Sequence, residues 1–245
     1  MMEEKVINIR DLKKSFGDNH VLQGLNMELK KGENLVVLGK SGVGKSVLIK
    51  CIIRLIEADD GEIRVFADDV NQLDDEDKLN QIRRKVGYLF QGGALYDAMD
   101  VEGNLKFPLQ RSGEKLSEQE YDERVDEVLE NVGLAEAKNK MPSELSGGMK
   151  KRIALARTLI LHPEIMLYDE PTTGLDPVTS GEISELLLEM QEKYNMSSVI
   201  ITHDMECAKT TSNRVALIKD GVFDEEGSYD ELKNSNKEWV RAFFK

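Results

Sequence analysis

Gly39-Lys40-Ser41-Gly42-Val43-Gly44-Lys45-Ser46 decides how the rest of the chain is read. The apolar run Leu35-Val36-Val37-Leu38 before it reads as a buried strand. Val47-Leu48-Ile49-Lys50-Cys51-Ile52-Ile53 after it is apolar nearly all round and reads as a buried helix. Strand, glycine loop and helix in that order is the context a phosphate loop requires. Glycines let the backbone turn sharply and approach the phosphates. Successive N–H groups then point inward, and the helix N-terminus adds positive partial charge. In this reading residues 39–47 cradle a nucleotide's phosphates, Lys45 reaches the outer ones, and the Ser46 hydroxyl ligates Mg²⁺. The competing reading is a chance glycine-rich turn, against which the flanking strand and helix weigh.

The bulk composition narrows the classes further. The 245 residues suffice for one large domain or a core with a sizeable insertion. With 40% hydrophobic and 32% charged residues the chain reads as globular and soluble. A formal net charge of -13 argues against a nucleic-acid backbone as main partner, because phosphates demand a basic footprint. Cys51 and Cys207 stand in apolar or helical contexts without metal-ligand spacing, so both read as reduced core thiols of a cytosolic protein. No apolar run approaches the ~20 residues of a membrane span, and MMEEKVINIR carries no apolar signal segment. No direct membrane insertion is expected; if the protein works at a membrane, another chain holds it there.

Around the glycine loop the chain alternates strands and helices. Residues 6–12 and 25–29 alternate in polarity and read as half-buried strands, and residues 61–66 as a further short strand. These form an antiparallel patch beside the nucleotide-binding strand. A polar helix over 74–84 leads into a strand over 86–90 that ends at Gln91. Residues 92–148 read as a mostly helical insertion, with Val125, Val128, Leu129 and Val132 at helical spacing in its most charged part. Ser146 opens a helix over 147–161 that His162-Pro163 stops. A strand over 165–168, a helix over 178–194 and a strand over 199–202 follow, then a hairpin turning at Asp220-Gly221 and a short helical tail with Trp239, Val240 and Phe243. The alternation predicts an α/β fold: a parallel sheet covered by helices on both faces.

Three further motifs carry chemistry. Asp169-Glu170 ends a four-residue apolar strand, which aims its carboxylates at a fixed point. Asp169 would hold Mg²⁺ with Ser46, and Glu170 would polarise the attacking water beside the γ-phosphate; the plain alternative is a solvated acidic pair. His203 also ends a strand, the one expected beside that of Asp169, and is read as a γ-phosphate contact. His20 and His162 are read as turn or surface residues. Leu145-Ser146-Gly147-Gly148-Met149 is a serine-capped helix start whose bare N–H groups can bind an anion, although many such sequences are ordinary capped helices.

The phosphate loop, Gln91, residues 145–148, residues 165–170, Gly174-Leu175-Asp176 and His203 resemble, in order and spacing, the nucleotide-binding subunits of ABC transporters. The resemblance covers essentially the whole chain. It implies a P-loop NTPase core with an antiparallel β subdomain (1–91 and 149–228), a helical insertion ending in the Ser-Gly-Gly motif (92–148) and a helical tail (229–245). It further implies ATP and Mg²⁺ as cofactors and a head-to-tail homodimer. Each ATP would lie between one subunit's phosphate loop and Ser146, Gly147 and Gly148 of the other, with Asp176 linking the two sites. Phe16 stands where the family places an aromatic against adenine, and Gln91 would sense Mg²⁺ and the membrane partner. Leu95, Tyr96, Met99, Val101, Leu105 and Phe107 follow Gln91. Tyr96 and Met99 are expected in a groove for a cytoplasmic helix of the permease; Leu105 and Phe107 serve equally well as core of the insertion.

Met149 departs from the family, which usually has glutamine there. The same departure occurs in the ATPase subunits of Mce-associated, Mla-type phospholipid transporters. The segment 44–50, with Val47 where threonine is commoner, the segment 89–97 and the segment 167–180 resemble that group too. The expected function is thus an ATP hydrolase on the inner face of the cytoplasmic membrane that drives lipid trafficking, with permease subunits and a periplasmic Mce-type lipid-binding protein as partners. Two alternatives stand beside it. An ATP-gated module signalling to a periplasmic cell-wall enzyme would look nearly identical. A DNA-repair ATPase of the same superfamily would carry long coiled coils, whereas the 118 residues from 47 to 164 show no sustained heptads.

Overall fold

The computed structural model describes residues 4–244; Met1, Met2, Glu3 and Lys245, the ends of the span read above as core and tail, lie outside the described residues. The first third of the chain holds β1 (Lys5–Phe16), β2 (Asn19–Lys30), β3 (Asn34–Leu38), α1 (Lys45–Ile52), β4 (Asp60–Val65), β5 (Asp68–Asp69), α2 (Glu76–Lys85) and β6 (Val86–Leu89). Then come α3 (Val101–Arg111), α4 (Glu118–Asn131), α5 (Gly147–Leu159), β7 (Ile165–Asp169), α6 (Pro177–Tyr194) and β8 (Ser197–Ile201). The last part holds α7 (Met205–Thr211), β9 (Arg214–Lys219), β10 (Val222–Gly227), α8 (Tyr229–Lys233) and α9 (Glu238–Arg241).

All five residues of β3, β7 and β8 are buried, because each strand feeds two cores at once. Side chains alternate across a sheet. Val36, Leu38, Met166, Tyr168, Ile200, Val215 and Leu217 enter one core together with α3, α4, α5 and α6. Leu35, Val37, Ile165, Leu167, Val199, Ile201, Ala216 and Ile218 enter the other, with α1 and the strands β1, β2 and β4. Sheets buried on both faces read as unbroken apolar runs, which is why these strands were legible without alternation. The strands stand in the order β10-β9-β3-β8-β7-β6, and β1, β2, β4 and β5 form a separate antiparallel sheet in the order β2-β1-β4-β5. The expected hairpin is present: the sheet is parallel from β9 to β6, and β10 runs antiparallel at the edge. The cause is the two-residue turn Asp220-Gly221, both at positive φ (49° and 77°), which folds β10 straight back on β9.

Element ends shift for local reasons. β1 and β2 are longer than their apolar alternation suggests, since nine residues of β1 pair with β2 along most of their lengths. α5 ends at Leu159 rather than 161, and α6 begins at Pro177, with Asp176 capping it. Pro108 sits inside α3. Leu105 is fully buried in the helical core; Phe107 is half-buried, its ring 4.9 Å from that of Tyr96. Val240 is buried, and Trp239 and Phe243 pack against the helical core. Cys51 and Cys207 are free and buried, and burial pushes both thiols up to about 11.

The start of α3 depends on a fully buried amide. Asn104 donates to the carbonyls of Tyr96 (3.0 Å), Met99 (3.1 Å) and Asp100 (2.9 Å) and accepts from the Tyr96 N–H (2.8 Å). Replacing it by leucine strips partners from several backbone groups at once. Asn104→Leu should cost at least ~1–3 kcal/mol, the penalty for one unsatisfied buried polar group. Urea unfolding of the purified variant measures this; an unchanged midpoint would show that water replaces the amide.

Candidate functional site

The loop after β3 is shaped by contacts that exclude side chains. Gly42 and Gly44 have φ of +78° and +109°. A Cβ on Gly44 would lie 2.7 Å from Val21 Cγ1, and one on Gly39 would lie 2.5 Å from Ile218 Cγ2. Lys40, Ser41 and Gly42 are exposed, Val43 half-buried. Lys45 is buried and its Nζ donates to the carbonyls of Gly39 (2.8 Å) and Lys40 (3.2 Å). Burial lowers its pKa, against the opposing charges of Glu170 and Asp169. Phe16, 50% exposed, lines a cavity of about 230 Å³ together with Gly42, Gly44, Lys45, Ser46 and Val47. The sequence-predicted aromatic and phosphate loop therefore face one space.

β7 delivers Asp169 to the start of α1. Ser46 Oγ donates to Asp169 Oδ1 at 2.7 Å, and the Tyr88 hydroxyl donates to Oδ2 at 3.0 Å. The carboxylate is 6% exposed. Hydroxyl and carboxylate oxygens are the hard donors that Mg²⁺ takes, and nucleotide phosphates and water usually complete its shell. Among the described residues no three His, Cys, Asp or Glu side chains gather into a self-contained metal site, so the donor set fits an ion shared with a phosphate ligand.

The chain turns sharply after Asp169. Glu170 adopts φ +53°, a conformation costing about 1–2 kcal/mol for a residue with a Cβ. Its N–H donates to the Ile201 carbonyl of β8 at 2.8 Å. Its Oε2 lies 2.6 Å from His203 Nδ1 and accepts from the His203 N–H (3.3 Å) and Thr173 Oγ1 (3.2 Å). The two residues predicted from separate strand ends are thus in direct contact. Gln91 is exposed, and its main-chain carbonyl accepts from Lys151 Nζ, which also lies 3.5 Å from the Glu170 carbonyl.

The helix start behaves as its composition suggests. Ser146 caps α5 by accepting from the Met149 N–H at 3.2 Å. A Cβ on Gly148 would lie 2.7 Å from Thr179 Cγ2, so this end of α5 packs closely on α6. Gly147 is exposed, and a Cβ on it would lie 3.6 Å from Leu175 Cδ2. Asp176 accepts from the N–H groups of Val178 and Thr179, both at 3.1 Å, and from Thr179 Oγ1 at 2.6 Å. That hydroxyl bond, with the backbone bonds, holds its carboxyl below the usual range. Among the described residues no hydrogen bond joins Ser146, Gly147 or Gly148 to the phosphate loop of the same chain. His20 lies 2.8 Å from Ser15 Oγ in the hairpin that carries Phe16, and His162 meets the Tyr194 ring edge-on at 5.6 Å.

Sequence reasoning missed Tyr88, Lys151 and Thr173. Tyr88 had a faint signal, a hydroxyl in an otherwise apolar strand. Lys151 had another, since it is a cation on the buried side of α5.

The family described as "ABC transporter" matches residues 22–173. The chain is 40% identical over 224 residues to the methionine import ATP-binding protein MetN of Rhizobium johnstonii, which covers 91% of this chain and 61% of that protein. It thus spans under two thirds of the length of that relative. It is 38% identical over 233 residues to the glutamine transport ATP-binding protein GlnQ of Geobacillus stearothermophilus, covering 95% of each. Among solved structures it superposes with TM-score 0.86 on cbiO1 of Clostridium perfringens, part of the ABC transporter complex cbiONQ, at 31% identity over 98% of this chain and 94% of that one. It superposes with TM-score 0.82 on the dimeric MJ0796 cassette bound to ADP and Pi, at 32% identity over 91% and 98%. The fold is accordingly that of an ABC ATPase.

The loop's shape makes a simple prediction. Gly44→Ala combines a positive φ with contacts to Val21 and Leu22 that are too short. It should destabilise the chain by more than ~1 kcal/mol, which lowers Tm by about 2–4 °C or more in a domain of this size. A thermal melt of the nucleotide-free variant checks it; an unchanged Tm would mean that the loop relaxes freely.

Proposed function

The chain belongs to the ABC transporter family, and from that premise we propose that it is the ATP-hydrolysing subunit of a membrane transporter, closing as a homodimer around two ATP. The observation that carries this reading is the convergence of Lys45, the Ser46–Asp169 pair at 2.7 Å and the Glu170–His203 pair at 2.6 Å on the mouth of one glycine loop. Residues 39–47 bind the phosphates, Lys45 as the charge on the outer ones and Phe16 as the wall for adenine. Ser46 and Asp169, with Gln91, would hold Mg²⁺, which neutralises phosphate charge when bound. Glu170 orients and deprotonates the attacking water, and His203, through its contact with Glu170, sits beside the γ-phosphate. Ser146, Gly147 and Gly148 of the second copy close each site, and Asp176 spans the interface. In this reading 1–91 with 149–228 is the nucleotide-binding core, 92–148 the helical unit that meets the permease, and 229–245 the tail. The subunit works peripherally at the cytoplasmic face; among the described residues no helix is long and apolar enough to cross a membrane.

The cargo is a finer matter, because it never touches this chain. The relatives named above carry methionine or glutamine in their names, which favours amino-acid import. The lipid reading rests on Met149 and on the segments 44–50, 89–97 and 167–180. Whole-chain identity in such a subunit is dominated by the nucleotide machinery, whereas Met149 is a departure inside that machinery. We therefore keep phospholipid trafficking as the proposed cargo class. Subunits co-purified from membranes decide it. A permease with an Mce-type lipid-binding protein supports this reading, and a permease with a soluble amino-acid-binding protein replaces it.

Glu170→Gln should retain ATP binding and the Glu170–His203 shape yet lose turnover by about 10²–10⁴-fold, the span of general-base contributions. Phosphate release and size-exclusion chromatography with ATP measure both; wild-type turnover would remove Glu170 from the reaction.

Tyr96 tests the permease contact. Its ring is 44% exposed, packs on Phe107 and lies 5.3 Å from the Arg157 guanidinium. A glutamate there would face that cation, so charge introduction is a poor probe and Tyr96→Ala a clean one. The variant should hydrolyse ATP normally when isolated and fail to co-purify with membrane subunits, through loss of an aromatic anchor. Full assembly would place the contact elsewhere.

A further inference from the structure

We infer that Tyr88 is a positioning residue for the metal carboxylate: its phenol holds Asp169 in the orientation that Mg²⁺–nucleotide binding requires. The inference rests on the reading of Asp169 given above. Three observations carry it. The register of β6 against β7 pairs Tyr88 with Leu167, so Tyr88, Leu167 and Asp169 share the sheet face that packs on α1. The phenol sits 3.0 Å from Asp169 Oδ2, while Ser46 Oγ sits 2.7 Å from Oδ1. The carboxylate is therefore gripped at both oxygens from two different elements and is otherwise shut away from solvent.

The two grips are not equivalent. Ser46 belongs to the loop that meets the nucleotide, and its hydroxyl is itself a proposed metal donor. Tyr88 makes no such contact, so its bond can persist whether or not the site is loaded. A carboxylate held only by Ser46 could rotate about its Cβ–Cγ bond; the phenol removes that freedom. The Tyr88 ring is in turn wedged against Phe90, with centroids 4.3 Å apart. β6 ends at Leu89, and Gln91 follows two residues later, so the grip on Asp169 lies three residues from the glutamine.

Outer-shell partners of metal ligands typically contribute 10–100-fold to metal affinity. The test is equilibrium binding of a fluorescent, non-hydrolysable ATP analogue by the full chain, titrated with Mg²⁺ and repeated in EDTA. Tyr88→Phe keeps the ring and removes only the hydroxyl. It should raise the half-saturating Mg²⁺ concentration about tenfold or more, leave the EDTA affinity within twofold of wild type, and melt near the wild-type temperature without ligand. Tyr88→Met, which fills the space differently, should show the same Mg²⁺ shift. An unchanged Mg²⁺ midpoint in both variants overturns the inference. So does an equal loss of affinity with Mg²⁺ and in EDTA, which would mark Tyr88 as a packing residue. Asp169→Asn separates the two layers of the argument. If it leaves the Mg²⁺ dependence intact, the reading of Asp169 fails and this inference with it. If it abolishes that dependence while Tyr88→Phe changes nothing, only the role of Tyr88 fails.

Discussion

The hydrogen bond from Ser46 to Asp169 joins groups 123 residues apart, and most of the fold exists to make it short. Ser46 opens α1 directly after β3, and Asp169 closes β7. These strands are not neighbours; β8 lies between them. The bond forms because three fully buried strands run parallel in register and end level with one another. A slip of one residue in β7 would turn Asp169 to the helical side of the sheet and Tyr168 to the loop. The two dense cores that hold β7 in register are thus the physical basis of the candidate site.

The same geometry explains why the site is acidic yet ordered. Asp169 spends both oxygens on neutral hydroxyls, and Glu170 spends Oε2 on His203 and Thr173. Lys45 and Lys151 are both buried near these carboxylates, and both bond backbone carbonyls instead of pairing with them. Burial lowers the pKa of each lysine while Glu170 and Asp169 raise it. The charges balance across the site without collapsing into ion pairs, which leaves the loop side of Lys45 available to a phosphate ligand.

Lys151 also ties the helical and sheet parts together. It leaves α5 and reaches the carbonyls of Gln91 and Glu170, while Arg157 of the same helix bonds the carbonyls of Ala94 and Gly93. The stretch from Gln91 to Tyr96 is thereby held by one helix. The exposed Tyr96 ring and the backbone beside Glu170 are anchored to the same rigid body.

Features carried by contiguous residues were legible in the sequence alone. The phosphate loop, the serine cap at Ser146, the buried strands ending in Asp169-Glu170 and before His203, and the hairpin at Asp220-Gly221 each depend on neighbours a few positions away. Their chemistry follows from residue type and spacing. The family motifs added the order of the pieces, and the fold bears that order out. Tertiary structure alone decided which groups meet: Tyr88 on Asp169, His203 on Glu170, Lys151 on the Gln91 carbonyl, and Arg157 beside Tyr96. Each joins residues whose separation along the chain says nothing of their separation in space. Strand order and a two-residue pleat determine the outcome, and a shift of one residue in register would exchange every such partner for another.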